Sequence, residues 1–175
     1  KGQFQDGLMH GPGILELPNG DNYIGDMRRG KIHGYSTYQH SDGREYKGDF
    51  VAGKKNGSGI FRYPDLTRYV GEFKDDLFSG RGEYYFADGS YYKGNFDLGS
   101  FNGNGELVYS DQTVYQGQFL DDLPHGEGVL ISSDGSRYEG QFKYGQRDGQ
   151  GTFISSDGRV FSGIFKNDKL VKHNR

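Results

Sequence analysis

The sequence predicts an all-β protein: a single-layer antiparallel meander of tandem 23-residue β-hairpin repeats, elongated and curved. Three observations predict it. Glycines recur at a strict 23-residue spacing, aromatic residues flank them with period two, and Asp-Gly or Asn-Gly pairs punctuate the runs. Such self-similarity outranks local propensity, because each unit is one supersecondary element that buries its apolar side only against its neighbours.

The first strand of each repeat is set by Gly2, Gly25, Gly48, Gly71, Gly94, Gly117, Gly140 and Gly163. Two residues later stands a phenylalanine, from Phe4 to Phe165, with Met27 the exception; two residues earlier stands a tyrosine from Tyr23 to Tyr138, then Phe161. Tyr-x-Gly-x-Phe alternates as a strand does, so Tyr46, Gly48 and Phe50 share one face while Lys47 and Asp49 share the other.

The second strand opens on Gly11, Gly34, Gly57, Gly80, Gly103, Gly126 and Gly149, and two residues on carries Gly13, Gly59, Gly82, Gly105, Gly128 and Gly151, with Ser36 in place of the remaining glycine. Gly57, Gly59, Phe61 and Tyr63 alternate on one side. Asp42-Gly43, Asp88-Gly89, Asp134-Gly135 and Asp157-Gly158 are hairpin signals, because glycine accepts positive φ. Two strands and two turns per repeat leave no place for a helix.

Glycine inside a strand normally weakens it. Here aromatic rings from the adjacent strand are expected to lie across the bare backbone, as in aromatic rescue of glycine. About fifteen strands at ~4.8 Å make a ribbon on the order of 70 Å long. Open sheets of that size curl rather than stay flat.

The repeat resembles the MORN family (membrane occupation and recognition nexus), whose pattern is similar to YxGxWxxGxxHGxGxxxxxDG. The likeness covers essentially all of residues 1–170, with Phe or Met where that pattern has tryptophan. It implies an elongated sheet with a concave aromatic face, and roles in cytoskeletal, ciliary or membrane-contact assemblies. It also implies that such arrays occur fused to lipid-kinase and methyltransferase domains, as a regulatory module of a larger enzyme. The array is expected over 1–168, as seven hairpin repeats plus a terminal strand, with 169–175 a C-terminal tail. The start at Lys1-Gly2, in mid-strand, suggests a fragment of a longer protein.

Composition narrows the class. Hydrophobic residues are 32% of 175, too few for a conventional core, while 14 Tyr and 13 Phe are too many for a solvated linker. With no cysteine there is neither a disulfide framework nor a thiolate metal site. No apolar run reaches the ~18–20 residues that span a bilayer. The expected setting is cytoplasmic, in association with cytoskeleton or membrane.

Catalysis is not expected. His10, His33 and His125 precede the second-strand glycine and could share a metal between repeats, but no third ligand type recurs with them, and a polar turn position is the favoured reading. The recurring aspartates, such as Asp65 and Asp111, belong to turns. Gly57-Ser58-Gly59 lacks the Gly-Lys-Ser/Thr of a phosphate loop. No catalytic residue, cofactor, metal or nucleic-acid partner is expected.

Binding is expected instead. Tyr38, Phe61 and Tyr84 continue a large apolar column, and the next outward column runs through Tyr63, Phe86 and Tyr109. In a single layer these rings lack a second layer to cover them, and contiguous exposed apolar surface marks partner sites. The six are the candidate groove for an extended or helical segment of a partner protein. Arg28, Arg29, Lys31, Lys54 and Lys55 lie in a basic stretch and are candidates for anionic phospholipid, whereas between 88 and 134 Lys93 is the sole Lys or Arg among eight acids. Val108, Ile131 and Ile154 on the opposite face suggest either a homo-dimer patch or β-propensity filler.

Overall fold

In the computed structural model, which describes residues 1–173, the chain folds into β-strands joined by tight turns, with no helix among the described residues. It forms two compact units, Lys1–Ala87 and a second beginning at Asp88. The first contains β1 (Gly2–Gln5), β2 (Leu8–Glu16), β3 (Asn22–Arg28), β4 (Lys31–Gln39), β5 (Glu45–Val51), β6 (Lys54–Arg62), β7 (Arg68–Lys74) and β8 (Leu77–Tyr85). The second contains β9 (Tyr91–Asp97), β10 (Ser100–Val108), β11 (Val114–Leu120), β12 (Leu123–Ile131), β13 (Arg137–Lys143), β14 (Gln146–Ile154), β15 (Val160–Lys166) and β16 (Lys169–His173). Within each unit every strand pairs antiparallel with its sequence neighbours, as the alternation and turn signals require. The ladder continues through β16, beyond residue 168 where the glycine pattern stops.

Two kinds of turn alternate. The tight one is exemplified by Ala52-Gly53, both left-handed at φ 52° and 90°, the geometry that matches strand twist. The wider one closes with His40 N–H donating to Arg44 O, and Asp42 Oδ1 accepting the Arg44 N–H across the bend. Between β5 and β6 the register moves from Gly48↔Gly59 to Phe50↔Lys55, a bulge centred on Gly57 at φ 104°. The Asp49 carboxylate accepts the Ser58 N–H beside it.

The core is a row of tyrosines sealed by phenylalanines. Tyr23, Tyr46, Tyr69, Tyr92 and Tyr115 are fully buried. Tyr46 lies over Gly48 and Gly59, and its hydroxyl donates to Asp49 O at 3.0 Å, so its buried polar end is satisfied. Phe50 of the same repeat and Phe73 of the next meet the ring edge-on at 5.0 and 4.9 Å. Tyr115 in the second unit sits likewise between Phe119 and Phe142. Where Ser36 replaces the glycine, its Oγ shares a 2.8 Å hydrogen bond with the Tyr23 hydroxyl. The aromatic rescue expected from the sequence is therefore the packing unit.

Candidate functional site

The same face of the first unit carries further rows towards the wide-turn edge. Tyr38 on β4, Phe61 on β6 and Tyr84 on β8 form one, and His40, Tyr63 and Phe86, each just past a strand end, form the next. Tyr38 packs on His40 at 4.8 Å, Phe61 on Tyr63 at 4.9 Å and Tyr84 on Phe86 at 4.8 Å, while His40 reaches Phe61 at 6.1 Å. Tyr38, Tyr63, Tyr84 and Phe86 are half-buried, each keeping part of its surface open. Phe61 is only 6% exposed: His40, Tyr63 and Lys55 surround it, so it forms the floor of the face. Burial raises the Tyr63 and Tyr84 hydroxyls above their ordinary pKa.

Tyr109 belongs to the second unit, at the wide turn after β10, and is 39% exposed. Its backbone N–H donates to Thr113 O at 2.8 Å. There the outward column continues as Ser132 and Ser155 rather than as rings.

Sequence reasoning missed two features. One is a seat position, two residues before the second-strand glycine, whose occupant rests on the buried tyrosine. Phe78 stacks on Tyr69 at 3.9 Å and Phe101 on Tyr92 at 3.8 Å. Lys55 and Arg147 hold the position as cations, 5.6 Å from the centroids of Tyr46 and Tyr138. Its mixed occupancy by Met9, Ile32, Lys55, Phe78, Pro124 and Arg147 conceals it from pattern reading.

The other is a polar cluster at Asp21, which is 6% exposed. Its carboxylate accepts the Ser41 N–H at 2.8 Å, the Tyr38 hydroxyl at 2.7 Å and the Asn19 amide at 3.0 Å, with His40 Nδ1 at 3.6 Å. The Ser41 backbone bond, then Tyr38, pulls Asp21 down to about 2. Burial, then Asp21, pushes Tyr38 up to about 12. His40 is held below its ordinary value by burial and by nearby Arg44, and its Nε2 is sealed without a partner. An aspartate in a column otherwise filled by Thr67, Ser90, Thr113 and Ser136 or by Arg44 and Arg159 was the available signal.

The basic candidates divide. Lys54 pairs with Asp75 at 3.1 Å and Lys55 approaches Asp76 at 3.8 Å. Arg28, Arg29 and Lys31 surround one exposed turn and have no carboxylate partner among the described residues. On the opposite face of the second unit Val108 pairs with Val114, Val114 with Ile131, and Ile154 with Val160, giving a β-branched stripe interrupted by Arg137. Among the described residues no three His, Asp or Glu side chains gather as metal ligands, and no helix is long and apolar enough to cross a membrane.

The family model for the MORN repeat matches seven times, at residues 1–22, 23–43, 46–68, 69–91, 92–114, 115–137 and 138–158. No curated protein matches the chain. Among solved structures it is similar to the TCP domain of SAS-4 from Drosophila melanogaster in complex with a proline-rich motif of Ana2, at 12% identity over 89% of this chain and 90% of that one, with a TM-score of 0.48. It is also similar to the TCP10 domain of Danio rerio CPAP in complex with a peptide of Danio rerio STIL, at 18% identity over 87% of this chain and 83% of that one, with a TM-score of 0.39.

Proposed function

This chain belongs to the MORN-repeat family, and we propose that it works as a non-enzymatic protein-binding scaffold, holding an extended or helical partner segment against the aromatic face of its first unit within a cytoskeletal, ciliary or membrane-associated assembly. The observation that carries this reading is the joined surface of Tyr38, His40, Phe61 and Tyr63 with the neighbouring pair Tyr84 and Phe86. Phe61 is the buried floor, the other rings lie half-open outside the sealed core, and such rings are the side chains that anchor interfaces. Tyr63 and Phe86 stand past their strand ends, so serine there trims the face without touching the ladder. Affinity capture with wild type and with the Tyr63→Ser/Phe86→Ser variant tests the reading. Loss of captured protein with an unchanged β circular dichroism spectrum is expected, and identical capture rejects the groove. Tyr109→Ser, made separately, asks whether the second unit takes part.

A second reading, binding of anionic phospholipid, is favoured by the uncompensated turn Arg28-Arg29-Gly30-Lys31. Basic residues near such a surface contribute about 1 kcal/mol each. Lys54 is paired with Asp75, and Lys55 lies over the Tyr46 and Phe61 rings rather than on the exposed turn, which narrows this site to three side chains. It predicts sedimentation with phosphatidylserine vesicles that weakens with salt and with charge reversal at Arg28, Arg29 and Lys31. Absence of sedimentation at low salt rejects it.

A further inference from the structure

Lys55 is a cation held on the face described above by only a long ion pair to Asp76. Its side chain is 17% exposed, and its ammonium lies 5.6 Å from the Tyr46 ring centroid and 5.4 Å from that of Phe61. The nearest carboxylate oxygen, Asp76 Oδ1, is 3.8 Å away, beyond hydrogen-bond length, and already accepts the Lys55 backbone N–H at 2.9 Å. Arg147 shows the satisfied version of this position: Nε donates to Asp168 Oδ1 at 3.2 Å and a terminal nitrogen to Asp168 O at 2.8 Å.

Among the described residues the surroundings supply no closer carboxylate than Asp76. Arg44 is engaged by Asp42 at 2.8 Å, and Asp21 already receives Ser41, Tyr38 and Asn19. His40, which also meets the Phe61 ring, has its Nε2 sealed without a partner. A partly desolvated ammonium over the buried Tyr46 and Phe61 rings, with its carboxylate partner Asp76 at 3.8 Å, is therefore matched by an acid brought from outside. Charge-assisted bonds of that kind are about twice as strong as neutral ones.

Resting on the reading of this face as a peptide groove, we infer that Lys55 receives the side-chain carboxylate of an Asp or Glu in an extended partner segment whose apolar side chains rest on Tyr63, Tyr84 and Phe86. The seat position that orders the core in other repeats then confers acid selectivity in this one. Met9 and Ile32 occupy it in the preceding repeats, so methionine at 55 leaves the packing scheme intact.

The test selects binders from a random peptide library displayed against the wild-type chain. The selected peptides are resynthesised with each acid changed to its amide, and binding is read by fluorescence anisotropy on wild type, Lys55→Met, Lys55→Gln and Tyr63→Ser/Phe86→Ser. The expected result is groove-dependent peptides carrying an acid, weakened about tenfold or more as amides on wild type. Acid and amide forms should bind alike on either Lys55 variant, with circular dichroism unchanged for at least one of them. Equal binding of acid and amide on wild type, or discrimination that persists without Lys55, overturns the inference and leaves the groove standing. Binders indifferent to Tyr63 and Phe86, or no binders, overturn both. Displacement of the peptides by phosphatidylserine vesicles, dependent on Lys55, assigns this cation to lipid and overturns the inference as well.

Discussion

The ring of Tyr46 occupies the space that a side chain on Gly59 would need: a Cβ there would stand 2.5 Å from Cε2 and 2.7 Å from Cζ. Tyr69 over Gly82 and Tyr92 over Gly105 repeat the relationship. Mid-strand glycine, ordinarily a weakness, is here the socket for the largest buried side chain in the repeat.

Gly59→Ala is therefore expected to destabilise the first unit by about 1–3 kcal/mol, the usual cost of overpacking. Gly59 has no positive φ, so the cost is steric. Ser36 stands in the same column and shares a hydrogen bond with the Tyr23 hydroxyl, so Gly59→Ser should cost less than Gly59→Ala despite its extra atom. Urea unfolding of the two variants checks both the size and the order.

Leu66, at φ 76° and 84% exposed, holds a turn position that is Gly20, Gly43, Gly89, Gly135 and Gly158 in five other repeats and Gln112 in the sixth. A left-handed conformation costs a non-glycine residue about 1–2 kcal/mol, and glycine returns part of that in unfolded-state entropy. Leu66→Gly should thus stabilise the chain by about 0.5–1 kcal/mol in thermal or urea unfolding. A decrease would show that the leucine side chain holds the turn.

Most of this architecture is legible in the sequence because the repeat makes it redundant. One Tyr-x-Gly-x-Phe run is ambiguous, whereas the same run at Tyr46, Tyr69, Tyr92 and Tyr115 fixes strand, face and register together. The site is less legible, because it resides in departures from the repeat. Phe61 reads as another exposed ring, yet His40 and Lys55 close over it. Lys55 reads as one more surface base, since nothing along the chain shows that its column rests on tyrosine. Asp21 and His40 are 19 residues apart, and only the hairpin stacking brings them within 3.6 Å.

Asp21 gives an acid-limb prediction. Its carboxyl is lowered from 3.8 to about 2 by the Ser41 and Tyr38 hydrogen bonds. A lowered folded-state pKa means the unfolded chain takes up the proton first. The contribution is then whole above about pH 4 and drains away as pH falls towards 2. Asp42, Asp88, Asp134 and Asp157 are lowered too, so the readout is the difference between wild type and Asp21→Asn. Thermal melts from pH 6 to 2 should show a gap that narrows over that window. A constant gap would mean that Asp21 acts through shape alone.

His40 gives a separate window. Burial and Arg44 lower its pKa below 6.5, and Nε2 lacks an acceptor, so a proton on the folded ring would add a charged N–H with nothing to receive it. The unfolded chain binds that proton more readily, so wild type should lose stability as pH falls from about 7 through 6.5, until the folded ring titrates in turn. Asp21 stays ionised throughout this range, so the two effects separate. His40→Phe restores the ring type that Phe86 supplies two repeats on and removes the orphan nitrogen, while Asp21 keeps Ser41, Tyr38 and Asn19. The variant should be at least as stable as wild type at about pH 8 and should gain on it as the pH falls through 6.5. If wild type instead gains on the variant as the pH drops, protonated His40 is bound by Asp21 more strongly than burial opposes it, and the 3.6 Å contact outweighs the sealed nitrogen.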